Sequence, residues 1–488
     1  MGVYHLGELA ANQLESEIKK KGVKTSISLR EYSDWFKLAC LLHDVGHAPF
    51  SHTGENFYLE EDSDYSKLHS KLIEVVGETE LSNDIPEDSS IAAAPHEIMS
   101  AIIGITQFED FMEGVESKEF FARCITGYKY QETSDDNCIK NCYISLLNSK
   151  VIDVDKLDYL IRDAYTTGFN TVSIDFERLL SSLTISKDSN TNNKYELAYY
   201  KNAISIIENV VYAHDAERKW IQTHPVVLYE SYIIQHIISR LSKKMNKNGK
   251  KLFSFETLSK QGQKFGDNLS VSLLCDDDIV YLIKNVFPDP LGEELFERRK
   301  RKHPIWKSEA EYKACFLKKI SGGDFLEELE GAVDLTIKYL IKNTDSWVIN
   351  ENVIEKLEKE RKEIVKCELD EATKKAQLDD KGKILKVMRS LEEYAKDKDI
   401  DCDFMLLKAS SFNSGFCKND FSDINVVFKS DGRENVEKFG EIASSLAGKA
   451  SRRDRFFYLF YKRRDGENRG LIDDCGEICK KLVRDVVL

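Results

Sequence analysis

The sequence has little proline, seven residues in a chain of 488. Proline breaks helices because it lacks an amide hydrogen and its ring collides with the preceding turn, so this scarcity favours a mainly α-helical fold. Apolar residues recur at helical spacing over residues 3–18 and predict a first helix that begins without a capping residue. A second, compact apolar helix is predicted from Trp35 to Leu42, with Ser33 or Asp34 as its cap.

The sequence also lacks any apolar run near the roughly 20 residues that cross a bilayer. Its first residues do not show the basic and then apolar pattern of an export signal. The 11 cysteines include two Cys-x3-Cys pairs, Cys138/Cys142 and Cys475/Cys479, without further partners at zinc-finger spacing. These absences predict a cytoplasmic protein with reduced thiols and no membrane partner.

Basic residues are outnumbered, with 70 Lys and Arg against 84 Asp and Glu and a net charge of −14. A protein that coats nucleic acid needs a surplus of cations for the phosphates, so nucleic acid is not an expected partner. The strongest basic run covers residues 298–303. It fits a solvated loop before Pro304, which is the simpler interpretation, and it also fits a regulatory site for nucleotide phosphates or RNA.

Changes of composition along the chain predict its organisation. Residues 60–90 are acidic and rich in serine without a clean period, which predicts a loop or insertion, and the Lys/Glu-rich residues 351–400 predict solvated helices. A helical body over residues 1–345 and a small α+β C-terminal lobe over residues 346–488 are expected. Strands are predicted for three short apolar runs of that lobe, at 404–407, 424–428 and 455–461.

What the sequence does contain is a dense group of histidines. Three of its ten histidines, His43, His47 and His52, fall in the run His-Asp-Val-Gly-His-Ala-Pro-Phe-Ser-His. His43 and the adjacent Asp44 supply one nitrogen and one oxygen ligand for a divalent metal ion, which acidifies water and neutralises phosphate charge. His47 and His52, on the loop beyond, can donate to an anionic substrate. We favour this function over histidines that merely pack beside a core helix, because the spacing is so specific.

Two further segments carry candidate residues. His96-Glu97, after Pro95, can form a general acid–base pair, although in isolation an ordinary helix start is the simpler explanation. On a helix, Asp155 shares one face with Tyr159, Arg162 and Asp163, opposite an apolar face. Burial of acidic side chains on this face costs free energy unless a cation neutralises them, and a metal ion at Asp155 would provide that cation. The alternative, an exposed amphipathic helix, is less favoured in the company of the histidine run.

The three segments together resemble the HD-domain deoxynucleoside triphosphate triphosphohydrolases, the group of the SAM-and-HD-domain enzyme and the bacterial dGTPase-like proteins. The motifs that carry the resemblance are His-Asp-x-Gly-His-x-Pro-Phe-Ser-His and Asp-x-Asp-Lys-x-Asp-Tyr-x-x-Arg-Asp, and the likeness extends to residues 410–416. It implies a mainly α HD-superfamily domain that hydrolyses dNTPs to deoxynucleoside and tripolyphosphate. It also implies a divalent metal ion (Fe, Mn, Zn or Mg), an activating nucleotide and a homo-oligomer. By analogy alone, the biological role would be control of nucleotide pools, for example in antiviral defence against phage.

The resemblance also implies a role for each candidate residue. The metal ligands would be His43, Asp44 and Asp155. Water would attack the α-phosphorus, and His52 or His96 would protonate the departing 5′-oxygen. The remaining implied site residues are His47 and Glu97 beside the phosphates, Glu55 in place of an aspartate that pairs with the catalytic histidine, Lys156 on phosphate, Tyr159 and Asp163 on the deoxyribose, and Arg218 on the substrate.

The chain departs from the family pattern in two ways. A further histidine ligand of the family precedes the run that matches Met1-Gly2-Val3 here, so either the true start lies upstream or this ligand is absent. His5 would not replace it, because six residues further along a helix the side chain is rotated by about 240°. Gln222 stands where the family has a tyrosine, which leaves sugar selectivity open. Two alternatives therefore remain: another HD nucleotidase or phosphodiesterase, and a catalytically impaired nucleotide-binding regulatory protein.

Overall fold

Most of the chain is described by a computed structural model, and its helices dominate. The described residues are 1–55, 57, 62–86, 93–150, 152–169, 173–187, 194–245, 263–265, 269–271, 274–286, 288–297, 301–317, 324–344, 347–366, 370–410, 424–430, 433–442, 455–463 and 475–487. None of the described helices combines the length and the apolar character needed to cross a bilayer.

The α-helices and β-strands follow one another along the chain, and short 3₁₀ and π-helical turns occur between some of them. In chain order the helices are α1 Gly2–Lys20, α2 Leu29–Leu42, α3 His52–Glu55, α4 Asp62–Val76, α5 Leu81–Asp84, α6 Pro95–Gln107, α7 Gly114–Thr126, α8 Asp135–Leu147, α9 Val154–Thr167, α10 Phe176–Ser181, α11 Ile204–Glu217, α12 Pro225–Met245, α13 Asp276–Tyr281, α14 Pro290–Phe296, α15 Glu309–Leu317, α16 Asp324–Asn343, α17 Glu351–Lys366, α18 Glu371–Asp397, α19 Phe439–Ile442 and α20 Cys475–Val486. The strands are β1 Leu183–Lys187, β2 Tyr195–Tyr200, β3 Gln263–Phe265, β4 Leu269–Val271, β5 His303–Pro304, β6 Val348–Ile349, β7 Cys402–Ser410, β8 Asn425–Ser430, β9 Arg433–Lys438 and β10 Arg455–Arg463.

The chain forms two compact units that alternate along the sequence. The first contains residues 1–218, 238–287 and 413–450, and the second contains residues 219–237, 288–412 and 451–488. This division differs from the single boundary near residue 345 that the sequence predicts.

The first unit is a helical body with a four-stranded sheet of order β1-β2-β8-β9. β1 and β2 pair antiparallel, with Leu183 opposite Tyr199, and β2 pairs parallel with β8, with Tyr199 opposite Val426. The second unit has a four-stranded antiparallel sheet of order β5-β10-β7-β6. The three predicted strands of residues 404–407, 424–428 and 455–461 are confirmed as parts of β7, β8 and β10, although Ile424 precedes β8. The expected fold class, mainly α with a small sheet portion, is confirmed as well.

α1 forms where the apolar spacing predicts it, and its apolar face is buried against α2 and α9. The predicted start of α2 is wrong, because the helix begins at Leu29 rather than near Trp35. Tyr32 is buried one turn ahead of the buried Phe36. This earlier apolar position extends the buried stripe toward the N-terminus, so Ser28 precedes the helix instead of Ser33 or Asp34.

The loop predicted over residues 60–90 is wrong over most of its described part, where α4 and α5 form. Leu68, Leu72 and Val76 are fully or almost fully buried at i, i+4 and i+8, which makes a narrow apolar stripe on α4. The acidic and serine residues around this stripe conceal the period from a sequence window. The helices predicted over residues 351–400 are α17 and α18, although the second half of α18 is largely buried.

Candidate functional site

His43 lies where α2 ends, and its ring is fixed on both sides. Its Nδ1 is 3.0 Å from the carbonyl oxygen of Cys40, one turn earlier. If Nδ1 carries the hydrogen, Nε2 presents a lone pair, the usual arrangement of a metal-binding histidine. This Nε2 lies 3.2 Å from Oδ1 of Asp155 and 3.4 Å from Oδ2 of Asp44. Burial opposes protonation of the ring, but the Asp155 and Asp44 carboxylates raise the pKa of His43 above its usual value.

Asp155 is brought to His43 by the start of α9, across 112 residues of sequence. The carboxylate of Asp153 caps this helix by accepting from the amide of Lys156 over 2.7 Å. Val154, Leu157 and Leu160 are buried on the apolar face, so Asp155 projects from the opposite side. Ligand atoms of His43, Asp44 and Asp155 all lie within 4.8 Å of one another. One imidazole and two carboxylates suit a divalent ion, so these residues fit the predicted metal.

A second group is centred on the carboxylate of Glu55. Its Oε1 lies 3.0 Å from Nδ1 of His47 and 2.6 Å from Nδ1 of His96, and its Oε2 lies 3.3 Å from Nδ1 of His52. The rings of His47 and His96 stack with their centroids 4.1 Å apart. Ligand atoms of these four residues also lie within 4.8 Å of one another, so the group has the donor types of a second metal site as well as those of an anion site.

The two groups are joined through Asp44, whose Oδ1 is 3.4 Å from Nε2 of His47. Burial lowers the pKa of His47, but the carboxylates of Asp44 and Glu55 outweigh it and raise the value to about 9. Burial also opposes ionisation of Glu55, yet the three imidazoles hold the pKa of this carboxyl far below its usual range. The carboxylates of Asp44 and Glu55 therefore favour the protonated form of His47.

The loop that carries His47 and His52 has a strained backbone. Phe50 and Ser51 have φ of 63° and 52°, in the left-handed region that non-glycine residues rarely adopt. The amide of Phe50 donates to Oδ1 of Asp276 over 2.8 Å. Such strain persists only where the surroundings enforce it and is common at functional sites. Asp276, which no sequence motif indicated, is one of the groups that hold this loop.

Glycine brings the loop into direct contact with α6. A Cβ on Gly46 would lie 2.2 Å from the amide nitrogen of Ser100 and 2.8 Å from the carbonyl oxygen of His96. The amide of Gly46 donates to Oγ of Ser100 over 2.8 Å. This close approach places His96 beside His47. The glycine of the His-Asp-x-Gly-His motif is the only sequence signal for it.

The predicted His96-Glu97 pair is divided in the structure. His96 joins the histidine group, whereas the Glu97 carboxylate accepts from the amide of Ala94 over 2.6 Å and from Nδ2 of Asn148 over 2.8 Å. Burial raises the pKa of Glu97. Glu97 thus secures the first turn of α6 with Asn148, a residue that the sequence patterns did not single out.

The predicted substrate residues do not all face the site. The Lys156 ammonium contacts the Ser149 carbonyl oxygen at 2.6 Å and Oδ2 of Asp153 at 2.5 Å. Tyr159 is half-buried on α9, and the Asp163 side chain is 40% exposed beside Arg162. Arg218 begins the π-helical turn Arg218–Gln222.

The described cations of the basic run are paired within the second unit. Nη1 of Arg301 lies 2.5 Å from Oε1 of Glu230, and Nζ of the buried Lys302 lies 2.9 Å from Oε1 of Glu294. These ion pairs favour a structural role over a regulatory phosphate site. Residues 298–300 of the run lie outside the described residues, as do residues 411–416 of the stretch that extends the family likeness.

Comparison with known families agrees with the geometry of the histidine groups. Residues 1–126 match the family model of the HD domain. The N-terminal part of the chain is therefore similar to HD domains. It contains His43 and Asp44 together with the whole second group, and Asp155 lies beyond its end.

Proteins of several organisms are similar to this chain. A Dictyostelium discoideum protein named deoxynucleoside triphosphate triphosphohydrolase SAMHD1 homolog is 26% identical over 220 residues, 44% of this chain and 36% of that protein. The uncharacterised YwfO of Bacillus subtilis is 24% identical over 202 residues, 41% of this chain and 36% of that protein. A putative HD domain-containing protein of mimivirus, L394, is 25% identical over 228 residues, 46% of this chain and 40% of that protein.

The chain thus covers 40% or less of the length of these curated relatives. A solved structure of a hypothetical protein from Aquifex aeolicus aligns over 98% of this chain and 84% of that one, with a TM-score of 0.48 and 18% identity.

Proposed function

We propose that this protein is a metal-dependent phosphohydrolase that cleaves deoxynucleoside triphosphates at the α-phosphorus. The observation that carries the proposal is the convergence of His43, Asp44 and Asp155 beside three further histidines. The HD domain supports metal-dependent hydrolysis. The dNTP substrate is supported by the two motifs at residues 43–52 and 153–163, which resemble those of dNTP triphosphohydrolases. The name of the Dictyostelium relative supports it as well.

Each residue has a chemical part in this proposal. His43, Asp44 and Asp155 hold a divalent ion, which when bound acidifies water and neutralises phosphate charge. His47 and His52 donate hydrogen bonds to phosphate oxygens.

Water attacks the α-phosphorus, the bond from phosphorus to the 5′-oxygen breaks, and His96 or His52 gives that oxygen a proton. Glu55 orients the donating ring. The products are the deoxynucleoside and tripolyphosphate.

Selection of the sugar is assigned to Tyr159 and Asp163 on α9. Tyr159 and Asp163 lie one and two turns beyond Asp155 on one helix face. A ring close to the sugar leaves little room for a 2′-hydroxyl, and Asp163 can accept from the 3′-hydroxyl. Arg218 is proposed to contact the substrate as well. Lys156 is proposed to bind phosphate, for which its ammonium group would have to break the ion pair with Asp153. From the family resemblance, we also propose that the chain forms a homo-oligomer and that a nucleotide activates it.

The test is product analysis with each dNTP and NTP in the presence of candidate metals. Asp44→Ala removes a proposed ligand, and we expect loss of both bound metal and turnover, because two ligands bind an ion too weakly. Asp34→Ala is a matched control, since both side chains are 57% exposed and Asp34 pairs only with Lys37 among the described ion pairs. It should retain metal and activity.

The products decide between the alternatives. Tripolyphosphate with free deoxynucleoside supports the proposal. Monophosphate or pyrophosphate would instead indicate a nucleotidase or phosphodiesterase. Nucleotide binding without turnover would indicate a regulatory protein, and full metal retention by Asp44→Ala would contradict the ligand assignment.

A further inference from the structure

The start of α6, which carries His96, is held by a chain of hydrogen bonds outside the proposed metal site. The amide of Ala93 donates to the hydroxyl of Tyr128 over 3.0 Å, and the carbonyl of Ala93 accepts from the hydroxyl of Tyr65 over 2.6 Å. His69 completes the chain: its Nε2 lies 2.7 Å from the Tyr128 hydroxyl and its Nδ1 lies 3.2 Å from the carbonyl oxygen of Tyr65. Both backbone polar groups of Ala93 are therefore fixed three residues ahead of His96.

The donors and acceptors of this chain are all satisfied by a neutral His69. The Tyr65 carbonyl can only accept, so Nδ1 carries the hydrogen and Nε2 accepts from the hydroxyl of Tyr128. A lone pair of the same hydroxyl oxygen is then available for the Ala93 amide. Burial lowers the pKa of His69, which agrees with a neutral ring. Tyr128 is 4% exposed and Ala93 6% exposed, so loss of either partner would leave a buried polar group unsatisfied.

We propose that Tyr128 is a positioning residue for His96, and that His69 sets the direction of its hydroxyl bond. The inference rests on the proposed function, in which His96 donates to the substrate. His96 is the second residue of α6, and its Nδ1 lies 2.6 Å from Oε1 of Glu55. A small shift of the chain at Ala93 would therefore move the donating ring relative to the phosphates.

Two successive amides at this helix start have separate anchors. Glu97 accepts from the amide of Ala94, and Tyr128 accepts from the amide of Ala93. Removal of the Tyr128 hydroxyl leaves the Glu97 bond in place, so α6 should still form. The variant should instead loosen the first turn of α6, which carries His96. Because His96 is the proposed proton donor, proton donation should be affected more than substrate binding.

Tyr128→Phe removes the hydroxyl and keeps the ring. Tyr143→Phe is its matched control, because Tyr143 is fully buried and its hydroxyl has no hydrogen-bond partner among the described residues. With the full chain, its metal and the best nucleotide substrate, we expect Tyr128→Phe to lower kcat about tenfold with little change in KM. Tyr143→Phe should leave both constants near the wild-type values.

The role of His69 is tested by a pair of variants. His69→Gln keeps an amide oxygen that can accept from Tyr128, and it should keep most of kcat. His69→Leu offers no acceptor and should lose as much as Tyr128→Phe. Equal losses in Gln and Leu would contradict the role given to the ring nitrogen, and equal losses in Tyr128→Phe and Tyr143→Phe would show that the hydroxyl only supports packing.

Amide hydrogen exchange of residues 93–94 and 96–98, measured without nucleotide, tests the positioning separately from catalysis. Tyr128→Phe should accelerate exchange there about tenfold, and Tyr143→Phe should not. Unchanged exchange with unchanged kcat would overturn the inference. If the wild-type chain hydrolyses no nucleotide, the proposed function fails, and the exchange result still decides whether Tyr128 holds the start of α6.

Discussion

Two glutamates near the site, Glu55 and Glu97, have different contacts and therefore different roles. Glu55 faces three imidazoles, and its charge is shared among them. Glu97, next to His96 in sequence, turns instead to a backbone amide and to Asn148. Both oxygens of Glu55 contact imidazole nitrogens, Oε1 those of His47 and His96 and Oε2 that of His52.

His69 gives a pH dependence to stability. Its pKa in the folded chain is lowered by burial, with the Tyr65 carbonyl acting in the opposite direction. Above the unfolded value of about 6.5 the ring is neutral in both states, so it adds no pH dependence there. As pH falls below that value, the unfolded chain takes up a proton first, and the folded state loses stability until the folded pKa is passed.

His69→Gln cannot titrate, so it isolates this contribution. Between about pH 7.5 and about pH 5.5 the wild type should lose more unfolding free energy than His69→Gln. Urea unfolding followed by circular dichroism at the two pH values measures the difference. A parallel pH dependence in both proteins would show that His69 is not responsible.

Much of the candidate site could be predicted at this scale, because it depends on adjacent residues and on one helix face. His43 and Asp44 are neighbours, and the spacing of Asp155, Tyr159 and Asp163 predicts one helix face. Lys156 and Glu97 could not be placed in the same way. Their sequence neighbours do not reveal that Asp153 and Asn148 face them in the folded chain.

At the scale of elements, the contact between the histidine loop and α6 depends on the absence of a side chain at Gly46. Its neighbours there are the backbone atoms of Ser100, Met99 and His96, which cannot rotate away as a side chain could. A larger residue would therefore separate two elements that both supply histidines to the site.

Gly46→Ala should destabilise the chain by about 1–3 kcal/mol through overpacking, and it should also lower activity. Gly331→Ala is the control: Gly331 is an exposed residue of α16, and apart from its own helix turn no atom of the described residues lies within 4 Å of the position that a methyl group on it would take. It should stabilise the chain by roughly 0.5–1 kcal/mol, because alanine favours helix. Thermal unfolding measures both. A Gly46→Ala protein as stable and active as wild type would contradict the close approach.

Helices with a clear apolar spacing were more predictable than helices whose apolar residues are few. α1 follows its apolar spacing closely, whereas the first half of α4 consists mostly of charged residues and serines. Burial of Leu68, Leu72 and Val76 depends on α6 and α7, which pack against α4. A local window contains no information on these partners, so the helix was missed.

At the scale of the whole molecule, the first unit takes one part of its sheet from far along the chain. β8 and β9 complete the sheet begun by β1 and β2, and Val426 and Val427 of β8 are buried there. Sequence patterns predicted the strands, but pairing between distant strands depends on the tertiary fold. The units therefore could not be assigned from composition.

A fragment of residues 1–345 should consequently be less stable than the same unit in the full chain. It lacks β8, so the outer edge of β2 is unpaired and apolar side chains that pack on β8 are uncovered. We expect lower resistance to proteolysis and earlier thermal unfolding of the helical body. A fragment that also carries residues 413–450 on a flexible linker should recover part of the loss, and equal stability of the two fragments would contradict the prediction.

The pairing of β2 with β8 also affects how this protein is made. Asn425, at the start of β8, bonds to Glu196 on β2 across 229 residues. At translation rates of about 5–20 residues per second, a ribosome needs roughly ten to fifty seconds to deliver the partner strand. During that time a nascent chain presents an open strand edge to the crowded cell, so we expect newly made copies to depend on chaperones more than refolded, full-length protein does.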